Sequence, residues 1–319
     1  MAEELIRVEH LKKYFKVPAG TNHAVDDVSF TIAKGETLGV VGESGCGKST
    51  LGRTLIHLLE STDGKIFLGG KDITHVNGTE LKHIREKMQI VFQDPYSSLN
   101  PRLRIENTVI EPLKMSGRFK NKAELKAEAN KLMELVGIDE RLREAYPHEL
   151  DGGRRQRVCI ARALALNPEF IVCDEPVSAL DVSIQAAVLN LLQELQQKMG
   201  MAYMFVTHDL SVVKHISDNI CVMYLGQLVE KAPTKELFAH TLHPYTKALL
   251  SAIPSTNIHQ PMQRIRLKGE ITSPINPKPG CRFAARCPYA TEACQQPQKL
   301  EEVAPNHFVS CCRIKEIAD

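Results

Sequence analysis

The chain has 319 residues, of which 43% are hydrophobic and 24% are charged, and its formal net charge is +2. These values describe an ordinary globular protein with room for one large domain, or for one large and one small domain. They exclude a nucleic-acid partner held by bulk charge, and no apolar run approaches the roughly 18 residues of a membrane span. The N-terminus lacks the basic-then-apolar layout of a signal peptide, so we expect a cytoplasmic protein.

Residues 5–32 alternate in the manner of β-strands, with a loop predicted at Val17–His23. Tyr14 and Phe15 lie at the end of the first of these strands. An aromatic ring there could stack on a nucleotide base, although a core or edge aromatic fits the same position equally well.

The stretch Gly42–Ser49 fits the phosphate-binding pattern G-x-x-x-x-G-K-[ST] at every fixed position. It follows the short apolar run Thr37–Val41, predicted as a buried parallel strand, and precedes Thr50–Leu59, which has helical spacing. The glycines let backbone N–H groups converge on phosphate oxygens, and the helix N-terminus adds partial positive charge. We therefore expect Lys48 to reach the β- and γ-phosphates and the Ser49 hydroxyl to hold Mg²⁺.

Further along the chain, predicted strands alternate with helices, which indicates a parallel α/β sheet. Gly64–Ile73 is predicted as a β-hairpin, and residues 100–160 carry the patterning of a helical insertion between strands. Three apolar strands are predicted at Lys87–Phe92, Glu169–Asp174 and Ala202–Thr207, and a hairpin is predicted around Leu225 and Gly226.

Each of these three strands ends in polar residues that suit phosphate chemistry, namely Gln93, Asp174 with Glu175, and His208. Any one of them alone would most simply be structural. Ligands of open α/β sheets lie at the carboxyl ends of the strands. Together with the phosphate loop, these residues therefore predict a nucleotide site.

In their order and spacing, these motifs resemble the nucleotide-binding subunit of an ABC transporter, over residues 5 to about 250. The resemblance also rests on a signature stretch, Leu150–Arg157, and on Ser178–Asp181. Three further segments are similar to the oligopeptide/dipeptide branch, and most of all to its second ATPase subunit: Asp94–Arg102, His243–Leu250 and Pro279–Cys287.

The resemblance implies an α/β P-loop NTPase fold, with an ABC-type RecA-like core and an N-terminal antiparallel β subdomain. It implies a nucleotide-binding domain over residues 1–250 that contains a helical subdomain at about 100–160. A small, irregular, cysteine-rich extension is expected at residues 251–319. It is rich in proline and has little core of its own, so we expect it to need a stabilising cross-link.

The resemblance also assigns roles. Glu175 is the general base for the attacking water, His208 contacts the γ-phosphate, and Gln93 ligates Mg²⁺ and senses the γ-phosphate. Asp174 holds Mg²⁺ through water, and Ser49 holds it through its hydroxyl. The implied ATP-binding residues are Tyr14 at the adenine, Val25 at the base edge, the loop residues Gly42, Glu43, Ser44, Gly45, Cys46, Gly47, Lys48, Ser49 and Thr50, then Asp174, and the signature residues Asp151, Gly152 and Gly153.

In this family the signature of one subunit completes the ATP site of another. Here Asp151 replaces the usual serine and Arg154 replaces the usual glutamine. Because a carboxylate near a γ-phosphate is repelled, we hypothesise that the site completed by this signature is weakened, or that Arg154 compensates. As an alternative, Asp151 turns away to cap the helix.

Five cysteines lie near the C-terminus: Cys281, Cys287, Cys294, Cys311 and Cys312. In a reducing cytosol such a cluster favours metal binding over disulfides, and the spacing is not that of a zinc ribbon. Members of the peptide-importer branch with this tail resemble [4Fe–4S] proteins, which implies a cluster on Cys281, Cys287, Cys294 and Cys311. Zinc and a bare set of thiols are the alternatives.

The implied function is an ATPase that energises import of dipeptides or oligopeptides. Its implied partners are a second ABC ATPase subunit in a heterodimer, two transmembrane permease subunits and an extracytoplasmic peptide-binding protein, but no nucleic acid. Its expected location is the cytoplasmic face of the membrane, held by the permeases. Alternatives are the same role for a nickel or phosphonate cargo, a non-transport ABC ATPase acting on nucleic acid or ribosomes, and a redox- or metal-sensing regulator.

Overall fold

Strands and helices alternate along most of the chain in a computed structural model that describes residues 3–253, 264–267, 269 and 273–317. The first elements are β1 (Glu4–Val17), β2 (Gly20–Ala33), β3 (Thr37–Val41), α1 (Lys48–Leu55), β4 (Asp63–Leu68), β5 (Lys71–Asp72), α2 (Gly78–Lys87), β6 (Met88–Val91), α3 (Pro95–Ser98), α4 (Ile105–Ser116) and α5 (Lys122–Leu135). They are followed by α6 (Gly152–Leu164), β7 (Phe170–Asp174), α7 (Val182–Met199), β8 (Ala202–Thr207), α8 (Leu210–Ile216), β9 (Asn219–Tyr224), β10 (Gln227–Pro233), α9 (Thr234–Ala239), α10 (Pro244–Ser251), β11 (Glu301–Ala304), β12 (His307–Val309) and α11 (Ile314–Ile317). Short 3₁₀ turns lie at Glu140–Leu142, Pro147–Glu149, Ala284–Arg286 and Glu292–Gln295.

The chain forms two compact units. The helical unit comprises Glu3, Ala33–Glu36 and His75–Met204, and the phosphate-loop unit comprises Glu4–Ile32, Thr37–Thr74 and the described residues from Phe205 onward. The division falls within β8. In the helical unit, α4, α5 and α6 pack against one another, and α6 also contacts β6 and α7. Strands β6 and β7 pair in parallel, and every residue of β7 is buried.

The phosphate-loop unit contains the antiparallel strands expected at the N-terminus, in the order β2-β1-β4-β5. It also contains the strand series β11-β12-β10-β9-β3, in which β3 and β9 are parallel and the other pairs are antiparallel. All five residues of β3 are buried, as their continuous apolar character predicted. This strand leads directly into the phosphate loop.

The loop predicted at Val17–His23 is shorter than expected, because β2 begins at Gly20. The backbone of this segment bonds to a distant part of the chain. His23 N–H donates to the Pro274 carbonyl at 3.0 Å, and Asn276 N–H donates to the Thr21 carbonyl at 2.9 Å. These partners lie far away in sequence, so no local pattern could have predicted the extended conformation.

The C-terminal extension is more ordered at its end than its proline content predicted. Its strand β12 pairs with β10, which places Val309 opposite Glu230. Glu230 and His307 are both fully buried, and the Glu230 carboxylate accepts hydrogen bonds from His307 Nε2 at 2.8 Å, Leu242 N–H at 2.9 Å and His243 N–H at 3.1 Å. A domain boundary at residue 250 stays a prediction, and part of the proline-rich segment lies outside the described residues.

His243 makes the stability of this region depend on pH. Burial lowers the pKa of the His243 imidazole from 6.5 to about 4, although the charge of Glu230 acts in the opposite direction. Between these two values the unfolded chain binds a proton that the folded chain excludes, so the free energy of unfolding falls as the pH falls through this window. The loss should reach about 3 kcal/mol at pH 4 and should level off below it.

His243→Asn tests this prediction. The Nδ1 atom of His243 caps α10 by accepting a hydrogen bond from Tyr245 N–H at 3.1 Å, and an asparagine oxygen can also cap the helix but does not titrate. Urea unfolding of both chains at several pH values should show a flatter profile for the variant between pH 6.5 and 4. If the free energy of unfolding depends on pH in the same way in both chains, His243 is not the source of the pH dependence.

Among the residues that the structure describes, no helix is both long and apolar enough to cross a membrane.

Candidate functional site

The phosphate loop is shaped by glycines that no other residue could replace. A Cβ atom on Gly47 would lie 2.0 Å from the Ala24 carbonyl oxygen, and one on Gly42 would lie 2.2 Å from that of Met223. Gly47 also adopts a φ of 106° at the start of α1, a left-handed conformation that favours glycine. The backbone of Ala24 and Met223 therefore holds the loop in place.

Lys48 is 4% exposed, and its ammonium donates to the carbonyls of two residues of its own loop. The Nζ–O distances are 2.8 Å to Gly42 and 3.0 Å to Glu43. Burial raises the pKa of the neighbouring Cys46 thiol, against the effect of the Lys48 charge. The other predicted loop residues lie nearer the surface: Ser44 and Gly45 are exposed, and Ser49 and Thr50 are half-buried.

The predicted adenine contact, Tyr14, lies at the end of β1 with its hydroxyl on Asp26. Its ring stacks on His23, with ring centroids 4.0 Å apart and an angle of 22° between the planes. The ring is half-buried, so part of it stays open to a ligand. Val25 is fully buried, and its contact with a base edge stays a prediction.

In the helical unit, the structure brings Gln93 and Glu175 together. Gln93 Nε2 donates to Glu175 Oε2 at 3.1 Å. These residues follow the parallel strands β6 and β7, so the strand pairing explains why they meet. Glu175 has a φ of 46°, which is uncommon for this residue type and typical of functional turns. Asp174, the last residue of β7, is buried.

The signature residues lie at the start of α6. Asp151 caps this helix by accepting a hydrogen bond from Arg154 N–H at 2.8 Å, and its other oxygen lies 3.4 Å from Arg154 Nη1. Asp151 thus caps the helix, as the alternative interpretation predicted, and it also pairs with Arg154. Whether Arg154 compensates for the aspartate charge at an ATP site stays a prediction. Gly153 allows close packing, because a Cβ atom there would lie 2.5 Å from Ile184 Cγ2.

His208 is exposed and lies in the phosphate-loop unit, between β8 and α8. The turn around it is well defined. Asp209 N–H donates to Thr207 Oγ1 at 3.0 Å, and the Asp209 side chain caps α8 by accepting a hydrogen bond from Ser211 N–H at 2.8 Å. The backbone therefore fixes the position of His208 at the end of a buried strand, as predicted.

Sequence reasoning missed three residues that contact this site. The Tyr245 hydroxyl accepts a hydrogen bond from Glu43 N–H at 2.8 Å. Arg286 pairs with the Glu43 carboxylate, and Arg282 pairs with Asp26. All three lie in segments that were noted only as marks of a transporter branch, and that branch resemblance was the only signal in the sequence.

The C-terminal cysteines lie near one another. Cys281 N–H donates to the Cys294 carbonyl at 2.8 Å. Burial, together with the neighbouring Cys294, Cys311 and Cys287, raises the pKa of the Cys281 thiol to about 11. Within the described part of the chain, no three His, Cys, Asp or Glu side chains are grouped closely enough to hold a metal ion.

Comparison with known proteins places the chain in one family. The ABC transporter family matches residues 25–178, and the oligopeptide/dipeptide transporter C-terminal region matches residues 229–294. The oligopeptide transport ATP-binding protein AppF of Bacillus subtilis is 48% identical over 97% of this chain and 97% of its own length. A putative peptide import ATP-binding protein of Brucella ovis is also 48% identical, over 97% of this chain and 98% of its own.

Solved structures share the fold. The dimeric post-hydrolysis structure of the ATP-binding cassette MJ0796 bound to ADP and phosphate has a TM-score of 0.67 and 29% identity, covering 72% of this chain and 99% of that one. The Clostridium perfringens protein cbiO1, part of the cbiONQ ABC transporter complex, has a TM-score of 0.66 and 29% identity, covering 74% and 91%. The chain therefore has the ABC ATPase fold that its sequence predicted.

Proposed function

This chain belongs to the ABC transporter family, in its oligopeptide/dipeptide branch, and from that premise we propose how its residues bind and hydrolyse ATP. The chain is the ATPase subunit that energises peptide import. The observation that carries the residue assignment is the hydrogen bond between Gln93 and Glu175. It joins the proposed γ-phosphate sensor to the proposed general base.

The phosphate loop and Lys48 bind the phosphates of ATP. Phosphate oxygens take the place of the Gly42 and Glu43 carbonyls as acceptors for the Lys48 ammonium, because a charge-assisted bond to phosphate is stronger than one to a neutral carbonyl. The loop N–H groups and the start of α1 supply the remaining donors. Tyr14 stacks on the adenine from the end of β1.

Glu175 is the general base for hydrolysis and accepts a proton from the attacking water. The amide of Gln93 holds the Glu175 carboxylate in one orientation. When the γ-phosphate arrives, Gln93 shifts its hydrogen bonds, and the carboxylate is released to the water. His208 donates to the γ-phosphate and helps to place that water.

The donor set fits Mg²⁺, because Ser49, Gln93 and Asp174 offer hydroxyl, amide and carboxylate oxygens, the ligands that this hard cation takes. Asp174 is 1% exposed and would hold the ion through water. When bound, Mg²⁺ would supply positive charge that offsets the charge of the phosphate oxygens.

The active assembly is a head-to-tail pair with a second ABC ATPase subunit, in which the signature at the start of α6 completes the partner's site. The dimeric cassette among the similar structures supports this arrangement. The pair is docked at the cytoplasmic face of the membrane on two permease subunits and receives peptide from an extracytoplasmic binding protein. The names of the relatives favour peptide over a nickel or phosphonate cargo.

We expect Asp151→Ser to raise the ATPase turnover of the assembled transporter several-fold. The substitution removes the Asp151 charge, which would lie near the partner's γ-phosphate in the paired assembly, and keeps an oxygen that can cap α6. Arg154→Gln as a single variant breaks the pair but keeps the Asp151 charge, and so separates the effect of the charge from the effect of the pair. Unchanged or lower turnover in Asp151→Ser would contradict the hypothesis that this signature weakens the site.

For the C-terminal extension we propose a [4Fe–4S] cluster on Cys281, Cys287, Cys294 and Cys311. Four thiols that influence one another electrostatically fit an all-thiolate site. In the described residues these side chains are not grouped closely enough to hold a metal ion, so the proposal rests on the resemblance and on the electrostatic influence of the thiols on one another. When bound, the cluster would cross-link an extension that has little core of its own.

Anaerobic purification tests the cluster. We expect a brown protein with about four iron and four sulfide per chain, and Cys294→Ser should lose both colour and iron. Cys312→Ser is the matched control, because Cys312 is outside the proposed ligand set. A colourless protein with one zinc per chain would overturn the assignment.

A further inference from the structure

Two arginines in the segment Cys281–Cys287 have buried side chains. The side chain of Arg282 is 7% exposed, and that of Arg286 is 8% exposed. A guanidinium stays charged at any physiological pH, so burial on this scale requires fixed acidic or carbonyl partners. Both arginines have such partners: Arg286 pairs with Glu43 of the proposed ATP site, and Arg282 pairs with Asp26, which contacts Tyr14 of that site.

Arg286 binds the phosphate loop itself. Its Nη1 and Nη2 atoms lie 2.6 Å and 3.1 Å from the two carboxylate oxygens of Glu43, a two-point geometry that is strong and directional. Nη1 also lies 3.4 Å from the Tyr224 hydroxyl. Glu43 is held at its backbone as well, through the hydrogen bond to Tyr245. Two C-terminal residues thus fix one loop residue.

The pairing has an electrostatic consequence for ATP. Glu43 is an acidic residue inside a loop that binds phosphates, and its carbonyl is one of the two acceptors of the Lys48 ammonium. An unpaired carboxylate at this position would repel a polyphosphate. Arg286 offsets that charge and keeps the Glu43 side chain turned toward the extension.

Arg282 makes a similar contact next to Tyr14, the proposed adenine contact. Its Nη2 donates to Asp26, and its Nη1 donates to the Leu225 carbonyl. Asp26 also accepts from the Tyr14 hydroxyl and lies 3.3 Å from His23 Nδ1. The carboxylate therefore orients both rings of the stacked Tyr14–His23 pair, in which Tyr14 is the proposed adenine contact.

Burial opposes ionisation of Asp26, but the Tyr14 hydroxyl, Arg282 and His23 outweigh it and lower its pKa. Asp26 therefore stays charged and keeps accepting all three groups. Loss of Arg282 would leave a half-buried carboxylate with weaker partners.

We propose that Arg282 and Arg286 are positioning residues for ATP, which extend from the cysteine segment to the adenine end and the phosphate end of the site. The proposal rests on the nucleotide site proposed above. It makes the C-terminal extension a structural part of ATP binding in this chain. Neither arginine touches the reacting atoms, so they should act on affinity and not on the chemical step.

The test is the Kd of the full-length chain for Mg²⁺–ATP, measured by calorimetry for wild type and variants. Arg286→Met keeps most of the apolar stem and removes the charge, and should raise the Kd about tenfold or more. Arg282→Met should raise it several-fold. The double variant Glu43→Gln/Arg286→Met should recover much of the loss, because no unpaired carboxylate remains beside the phosphates. A purely structural role for Arg286 would give no such recovery.

Arg313→Met is the matched control. Arg313 follows the last cysteines, pairs with Glu316 at 2.5 Å and donates to the Tyr289 carbonyl, away from the phosphate loop. Its variant should bind ATP like wild type. In the assembled transporter, Arg286→Met should raise the KM for ATP with kcat within about twofold of wild type. Thermal unfolding of each variant verifies that it is folded.

Lys48→Ala separates failure of this inference from failure of the site. If Lys48→Ala abolishes binding and Arg286→Met stays within twofold of wild type, the positioning role is wrong and the site stands. If Lys48→Ala binds ATP like wild type, the site itself is wrong. Equal weakening in Arg313→Met and Arg286→Met would also overturn the proposal, because the effect would then be a general one of the extension.

Discussion

Glu175→Gln is expected to reduce ATP hydrolysis by the assembled transporter by about 10²- to 10⁴-fold, the range for loss of a general base. The amide is nearly isosteric and can still pair with Gln93, so the turn at the end of β7 should persist. Binding of ATP should stay within a few-fold of wild type, because Glu175 acts on water and not on the nucleotide. Steady-state kcat and the Kd for ATP are the two measurements.

Glu169→Gln is the matched control for this substitution. Glu169 directly precedes β7, at the opposite end of the strand, and forms an exposed ion pair with Lys87 at 2.7 Å. Its loss should leave kcat unchanged, since an exposed pair contributes little. If Glu175→Gln retains more than about a tenth of wild-type turnover, well above the range for loss of a general base, another residue must be the base.

Glu230→Ala is expected to lower the free energy of unfolding by about 3–5 kcal/mol, the range for removal of one member of a buried ionic or hydrogen-bonded group. The substitution leaves His307 Nε2 and two backbone N–H groups buried without their acceptor. It also loosens the contact of β12 with β10. Urea unfolding monitored by circular dichroism measures the effect.

The control is Glu236→Ala in α9. Glu236 pairs with His240 at 2.9 Å, but both side chains are exposed. We expect a loss below about 0.5 kcal/mol for this pair. If the two variants lose similar amounts, the buried network has no special role in anchoring the extension.

Much of the fold was predictable because its determinants are local. Strand β8 is buried throughout and was predicted with its observed bounds, Ala202–Thr207. The phosphate loop follows from its glycines, because their conformations and close backbone neighbours admit few other residues. The hairpin at Leu225 and Gly226 follows from a short turn between two apolar runs.

What the sequence did not predict depends on contacts between distant residues. Arg286 and Glu43 are separated by 243 positions, and neither carries a pattern that names the other. The same holds for β12, whose short run His307–Val309 becomes a strand by pairing with β10 and β11. A charged residue in a sequence window is usually solvated, so the burial of Arg282 and Glu230 could be learned only from the fold.

We propose that this chain couples ATP hydrolysis at Glu175 to peptide import. The most direct measurement reconstitutes the chain with its partner ATPase and two permeases in lipid vesicles and records ATP hydrolysis with and without peptide-loaded binding protein. We expect the loaded binding protein to stimulate hydrolysis, and Glu175→Gln in this chain to abolish the stimulation. Stimulation by a nickel or phosphonate cargo instead, or stimulation that survives Glu175→Gln, would contradict the claim.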